Sequence, residues 1–116
     1  MLTKQEMFDR AYRGLSKQKW KQSKRGDSCV YNGPNGTHCA YGWIDRKIPA
    51  KFNSDCSINT LYQEKIGVAA TLDSEMILFA CELQAAHDDG EGPREMRAGF
   101  VSLAKEHHLK LPRLSP

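Results

Sequence analysis

No apolar run in the 116 residues approaches the roughly 20 needed to span a bilayer. The first residues, Met1-Leu-Thr-Lys-Gln-Glu, lack the apolar stretch of a secretory signal. The expected setting is therefore the cytoplasm, with no membrane partner. There is no internal repeat and no low-complexity tract. Cys-x-x-Cys and His-x-x-x-His are both missing, so the usual zinc spacings are absent and no cofactor is expected. Asn32-Gly-Pro-Asn-Gly36 has turn spacing and lacks the Lys-Ser/Thr that completes a phosphate-cradling loop. Asp88 and Asp89 sit in a Gly-containing segment that does not fit the Ca²⁺-loop pattern. No Cys, His and carboxylate pattern converges as a nucleophilic or acid–base site would require, so a non-enzyme is expected.

What remains is an ordinary globular composition, 40% apolar and 27% charged. The length suits one domain, read as residues 1–108, with a loose tail over 109–116 that contains two prolines. The net charge of +3 is unevenly spread. Residues 1–51 carry +7 and residues 52–116 carry −4. The basic peak, Lys17, Lys19, Lys21, Lys24 and Arg25, surrounds Trp20. The acidic peak is Asp88, Asp89, Glu91 and Glu95. The two peaks suggest separate basic and acidic faces if the halves stay apart in the fold.

Local signals predict a mainly helical α+β domain with about four helices and one small β-hairpin after the first. Thr3-Lys-Gln-Glu6 fits a capping box, and Phe8, Ala11, Tyr12 and Leu15 follow at helical spacing, predicting a helix from about 4 to about 19. Gly14 within it is a mild mark against the helix. Ser23–Asp27 reads as a loop. Cys29-Val-Tyr31 and Thr37-His-Cys39 flank the turn formers and predict a hairpin centred on Pro34, with Cys29 facing Cys39. Ala40–Ile44 is strand end or short helix. Residues 57–65 predict a helix with Ile58, Leu61 and Tyr62 inward, closed by Gly67. Thr71 or Asp73 caps a central helix bearing Met76, Ile77, Ala80, Leu83 and His87 on one face. Pro93 opens a last helix with Met96, Phe100, Leu103 and Ala104 buried.

The segment from Cys29 to Ile44 is the most distinctive. It resembles a family of small proteins encoded by phages and prophages of proteobacteria, with the pattern Cys, aromatic, Gly-Pro-Asn/Asp-Gly, Cys-Ala-x-Gly. Cys29, Tyr31, Gly33-Pro34-Asn35-Gly36, Cys39-Ala40 and Gly42 match, as does Leu83-Gln-Ala-Ala-His87-Asp88. The resemblance covers about residues 5–107 and departs after Ile44, where Asp-Arg-Lys-Ile-Pro replaces a more acidic segment. It carries no catalytic residues. It implies an accessory phage protein that binds and blocks a host defence complex, of the anti-CRISPR type, by occlusion or mimicry.

Three binding modes are open on this reading. In the first, a host protein complex meets the Lys17–Arg25 stretch, or meets Asp88, Asp89, Glu91 and Glu95 as phosphate mimics. In the second, Lys17, Lys19, Trp20, Lys21, Lys24 and Arg25 bind nucleic acid, Trp20 being either an anchor for a partner or packed beneath the lysine stems. In the third, Cys29 and Cys39 with Cys56 or His38 form a zinc-held structural module. A reducing compartment favours buried free thiols over a disulfide. Trp43, in an apolar stretch, reads as core.

Overall fold

A computed structural model describes residues 2–53 and 57–114. The chain forms α1 (Lys4–Lys17), a two-stranded antiparallel hairpin of β1 (Lys24–Arg25) and β2 (Ser28–Cys29), α2 (Ala40–Ile44), α3 (Ile58–Gln63), α4 (Ser74–Asp88) and α5 (Pro93–Glu106). Single 3₁₀ turns occupy Pro34–Gly36, Ala50–Phe52 and Gly67–Thr71. The fold is α+β and mainly α, as the periodicities predict. No helix among the described residues is long and apolar enough to cross a membrane.

Helix starts follow the sequence signals. Thr3 Oγ1 accepts from the Glu6 N–H at 3.1 Å, and the Glu6 carboxylate accepts from the Thr3 N–H at 2.9 Å. Asp73 caps α4 by accepting from the Met76 N–H at 2.9 Å. Pro93 is the first residue of α5. Helix α4 packs against α1, α2, α3 and α5, so its buried face of Met76, Ile77, Phe79, Ala80, Leu83 and His87 forms the middle of the core. Phe8, Tyr12, Trp20 and Phe100 form an aromatic cluster, with Trp20 edge-on to both Tyr12 and Phe100.

Helix ends follow a rule the sequence hides. Three helices close with a residue in the left-handed region that is not glycine: Lys19 (φ 59°), Lys65 (φ 57°) and His108 (φ 57°). The next N–H then reaches back into the last turn: Trp20 to the Leu15 carbonyl, Ile66 to Leu61 and Leu109 to Ala104. This is the Schellman closure, with its apolar residue following the left-handed one. Lys65, not Gly67, therefore ends α3. Tyr62, expected inward, is 46% exposed, because this short helix buries only Ile58 and Leu61. A left-handed lysine costs about 1–2 kcal/mol, against about 0.4–1 kcal/mol lost to the freer unfolded chain on changing it to glycine. Lys65→Gly is therefore expected to stabilise by roughly 0.5–1 kcal/mol in urea unfolding; a loss would refute the strain.

The hairpin lies earlier than expected. Lys24 pairs with Cys29 and Arg25 with Ser28, around Gly26. Around Pro34–Gly36 a short local pairing remains, with the Asn32–His38 bridge, the Gly33 N–H donating to the Thr37 carbonyl at 2.8 Å and the Cys39 N–H to the Tyr31 carbonyl at 3.2 Å, and Cys29 does not face Cys39. Part of the physical reason is a distant partner. The Tyr31 N–H donates to the Asn53 carbonyl at 3.1 Å, and the Asn53 side chain clamps the Asn32 N–H and carbonyl at 2.7 and 3.0 Å. These bonds tie residues 31 and 32 to Asn53, while Cys29 and Val30 pair back with Lys24 and Ser23, so the local ladder stops at Tyr31. Asn35 and Gly36 take the positive φ that their identity predicts, at 58° and 74°. The tail is tied at its start: the Gln5 side chain bonds the Lys110 N–H and carbonyl.

Candidate functional site

The matching motif is built into the packing. Cys39 Sγ caps α2 by accepting from the Gly42 N–H at 3.3 Å. Ala40 is fully buried. A Cβ on Gly42 would sit 2.2 Å from the Tyr31 carbonyl oxygen, so this position demands glycine by contact. Tyr31 in turn packs edge-on against Tyr41. Burial pushes the Cys39 thiol up to about 12. Cys29 is raised to about 11 by burial and by the Asp88 charge, and Cys81 is raised by burial. All three are free thiols, and their raised pKa values make them weak nucleophiles.

The proposed zinc set is not assembled among the described residues. Cys29 clusters with His87 and Asp88, without Cys39 or His38, and Cys56 lies outside the described residues. His87 is fully buried; its Nε2 accepts from the Ser23 N–H at 3.0 Å, so its proton sits on Nδ1, which donates to Asp88 Oδ1 at 2.8 Å. A metal on Nδ1 would move that proton to Nε2, directly against the Ser23 N–H. The cluster is a structural lock. The second cluster, Glu82, Glu106 and His107, lies at the α4–α5 surface, with His107 Nε2 3.1 Å from Glu82.

The predicted basic stretch is an alternation of inward and outward residues. Gln18, Trp20, Gln22 and Ser23 point inward, while Lys17, Lys19, Lys21, Lys24 and Arg25 are exposed. The Gln22 amide donates to the carbonyls of His87, Asp88 and Gly90. The basic peak is thereby fastened to the acidic one. Asp88, Asp89, Glu91 and Glu95 are exposed on the α4–α5 connection and the start of α5. Lys24, Asp88 and Asp89 all act on Cys29. The two expected faces are therefore neighbours, and their fields offset. Trp20 is 8% exposed inside the aromatic cluster, so it is unavailable to stack on a partner.

A second concentration of positive charge lies elsewhere. A cleft of about 640 Å³ is lined by Arg10, Arg13, Gly14, Lys17, Trp43 and Arg113 among others. Arg10, Arg13, Gly14 and Lys17 recur at helical spacing along one side of α1. Trp43 from α2 is half-buried rather than core. Its indole lies so close to Gly14 that a Cβ there would be 2.1 Å from Cδ2. Its Nε1–H donates to Gln18 Oε1 at 3.0 Å, and His38 meets the ring edge-on at 4.7 Å. The Arg46 guanidinium sits over the ring, 4.7 Å from the centroid. Arg10 Nη1 donates to the Ile44 carbonyl at 3.2 Å. No ion pair among the described residues involves Arg10, Arg13, Lys17, Arg46 or Arg113. Burial and the Arg46 charge hold His38 below the ordinary histidine range, the response of a site that disfavours one more cation.

Lys17 is the one member of the predicted basic stretch that lines this cleft. The signal for the rest was present as the period of Arg10, Arg13 and Lys17. No family model, curated protein or solved structure matches the chain.

Proposed function

We propose that the protein is a non-enzymatic binding protein whose working surface is the basic cleft around Trp43. In the phage setting that its resemblance implies, it acts by occupying a host defence complex in the host cytoplasm, as anti-CRISPR proteins do. The observation that carries this reading is the group of arginines and a lysine beside the partly buried Trp43, none of them ion-paired among the described residues. Cations outside any ion pair keep most of their attraction for an anionic partner. The neutral thiols and the His87 lock support binding over chemistry.

The test uses tagged protein and nuclease-treated bacterial lysate, read by mass spectrometry. The expected result is a stoichiometric host complex whose nucleic-acid targeting is blocked by added protein in vitro. Arg13→Glu with Arg113→Glu should abolish both capture and block. Absence of any captured complex, or a block indifferent to those charges, would sink the reading.

A further inference from the structure

We propose that the cleft takes a single-stranded nucleic acid, with phosphates on the α1 cations and Arg113 and a base on the exposed Arg46 guanidinium that lies over Trp43 beside the cleft. The inference rests on reading the cleft as the working surface, and it names what enters it. Three observations separate this ligand from other anions. Arg10 and Lys17 are seven residues apart on one helix, about 10 Å by helical rise, further than one phosphate reaches. The cations therefore suit a chain of phosphates rather than a single one. The exposed Arg46 guanidinium lies over the Trp43 ring, and Gly14 of α1 packs against that ring, so the pair offers the Arg46 plane, backed by the indole, as the surface on which a base stacks. An acidic peptide side chain has no π-face to use it. A duplex hides its base faces in its own stack, so a single strand alone can offer phosphates and base faces at once.

The indole is also fixed in advance. Gly14 lets it lie on α1, Gln18 holds Nε1, and His38 supports its edge. A ring already ordered loses little freedom when a base arrives.

The experiment measures anisotropy of labelled oligo(dT) and oligo(rU) of about 12 nucleotides, a length within single-strand site sizes, binding the intact protein. Three to five phosphate contacts predict a slope of log K against log salt between about −2 and −3.5. Arg13→Gln with Arg113→Gln should weaken binding at least about 10-fold and flatten that slope by about 1.4. Lys24→Gln with Arg25→Gln, on the hairpin, should change affinity less than about 2-fold, since rim charges held near carboxylates contribute little. Arg46→Lys keeps the charge and removes the plane. It should cost about 5-fold or more with the slope unchanged, as expected for lost stacking.

No binding of either strand at low salt overturns the assignment. So does equal sensitivity to the hairpin and cleft variants, or full competition by poly-glutamate of the same length. Arg13-dependent capture of a host complex without strand binding overturns this assignment and leaves the binding-face reading standing. Absence of capture overturns the host-complex reading whether or not strands bind, and absence of strand binding overturns this assignment whether or not a complex is captured.

Discussion

Replacing His87 with alanine is expected to destabilise the protein by about 3–5 kcal/mol, the largest single effect short of emptying the aromatic core. Two losses add. The ring is fully buried, so its removal leaves a cavity in the middle of the α4 face. The Ser23 N–H then loses its acceptor among the described residues at a buried position, and an orphaned buried donor costs about 1–3 kcal/mol. His87→Gln offers an amide oxygen near the Nε2 position and should recover roughly half of the loss. Asp88→Asn keeps an oxygen for Nδ1–H on an exposed side chain and should change stability by less than about 1 kcal/mol. Urea unfolding of the three variants is the measurement. If the glutamine variant is as unstable as the alanine variant, the acceptor role is wrong and only volume matters.

This lock also explains why charge asymmetry along the sequence misled. Counting charges by halves gives one basic and one acidic block. Yet Gln22 and Ser23 are sewn to the α4 terminus through His87, Asp88 and Gly90. Neither glutamine nor serine at those positions announces a partner 65 residues away. The helices, by contrast, were legible wherever their determinants are local. Thr3 with Glu6, Asp73 and Pro93 each act within one turn, and the stripe from Met76 to His87 repeats at the helical period. Helix ends were hidden because lysine and histidine occupy left-handed positions where glycine is the expected signal. The hairpin was misplaced because Cys29 and Val30 pair back with Lys24 and Ser23 around Gly26, leaving only the Tyr31–Cys39 and Gly33–Thr37 bonds of the expected ladder.

The cleft was half legible. Arg10, Arg13 and Lys17 share one side of α1 by period alone, but periodicity was read for the apolar residues and not for the cations. Gly14 was counted as a weakness of the helix. Its meaning depends on Trp43, 29 positions later in the chain, whose indole fills the space a side chain would take. Likewise Trp43 has the composition of a core residue and the position of a cleft residue. What it stands beside decides its role, and that is a tertiary fact.

The same contact reverses a familiar rule, and that reversal is the second large prediction. Glycine to alanine inside a helix ordinarily stabilises by about 1 kcal/mol. Gly99 in α5 should obey, because a Cβ there meets only the Ala86 methyl at 3.5 Å, an ordinary contact. Gly14→Ala should do the opposite. Its Cβ would lie 2.1 to 2.6 Å from three atoms of the Trp43 ring, so the indole must leave. Overpacking of this kind costs about 1–3 kcal/mol, and loss of the Trp43–Gln18 bond adds about 1 kcal/mol. Against the gain in helix propensity, the net expectation is a loss of about 1–3 kcal/mol. The displaced ring should emit further to the red and be quenched more readily by iodide, while Trp20, buried between Tyr12 and Phe100, stays protected. Strand affinity should fall with it, because the base platform is no longer held over the α1 cations. If Gly14→Ala and Gly99→Ala instead stabilise alike, the indole is not seated on α1. The cleft would then lack the preordered surface on which stacking depends.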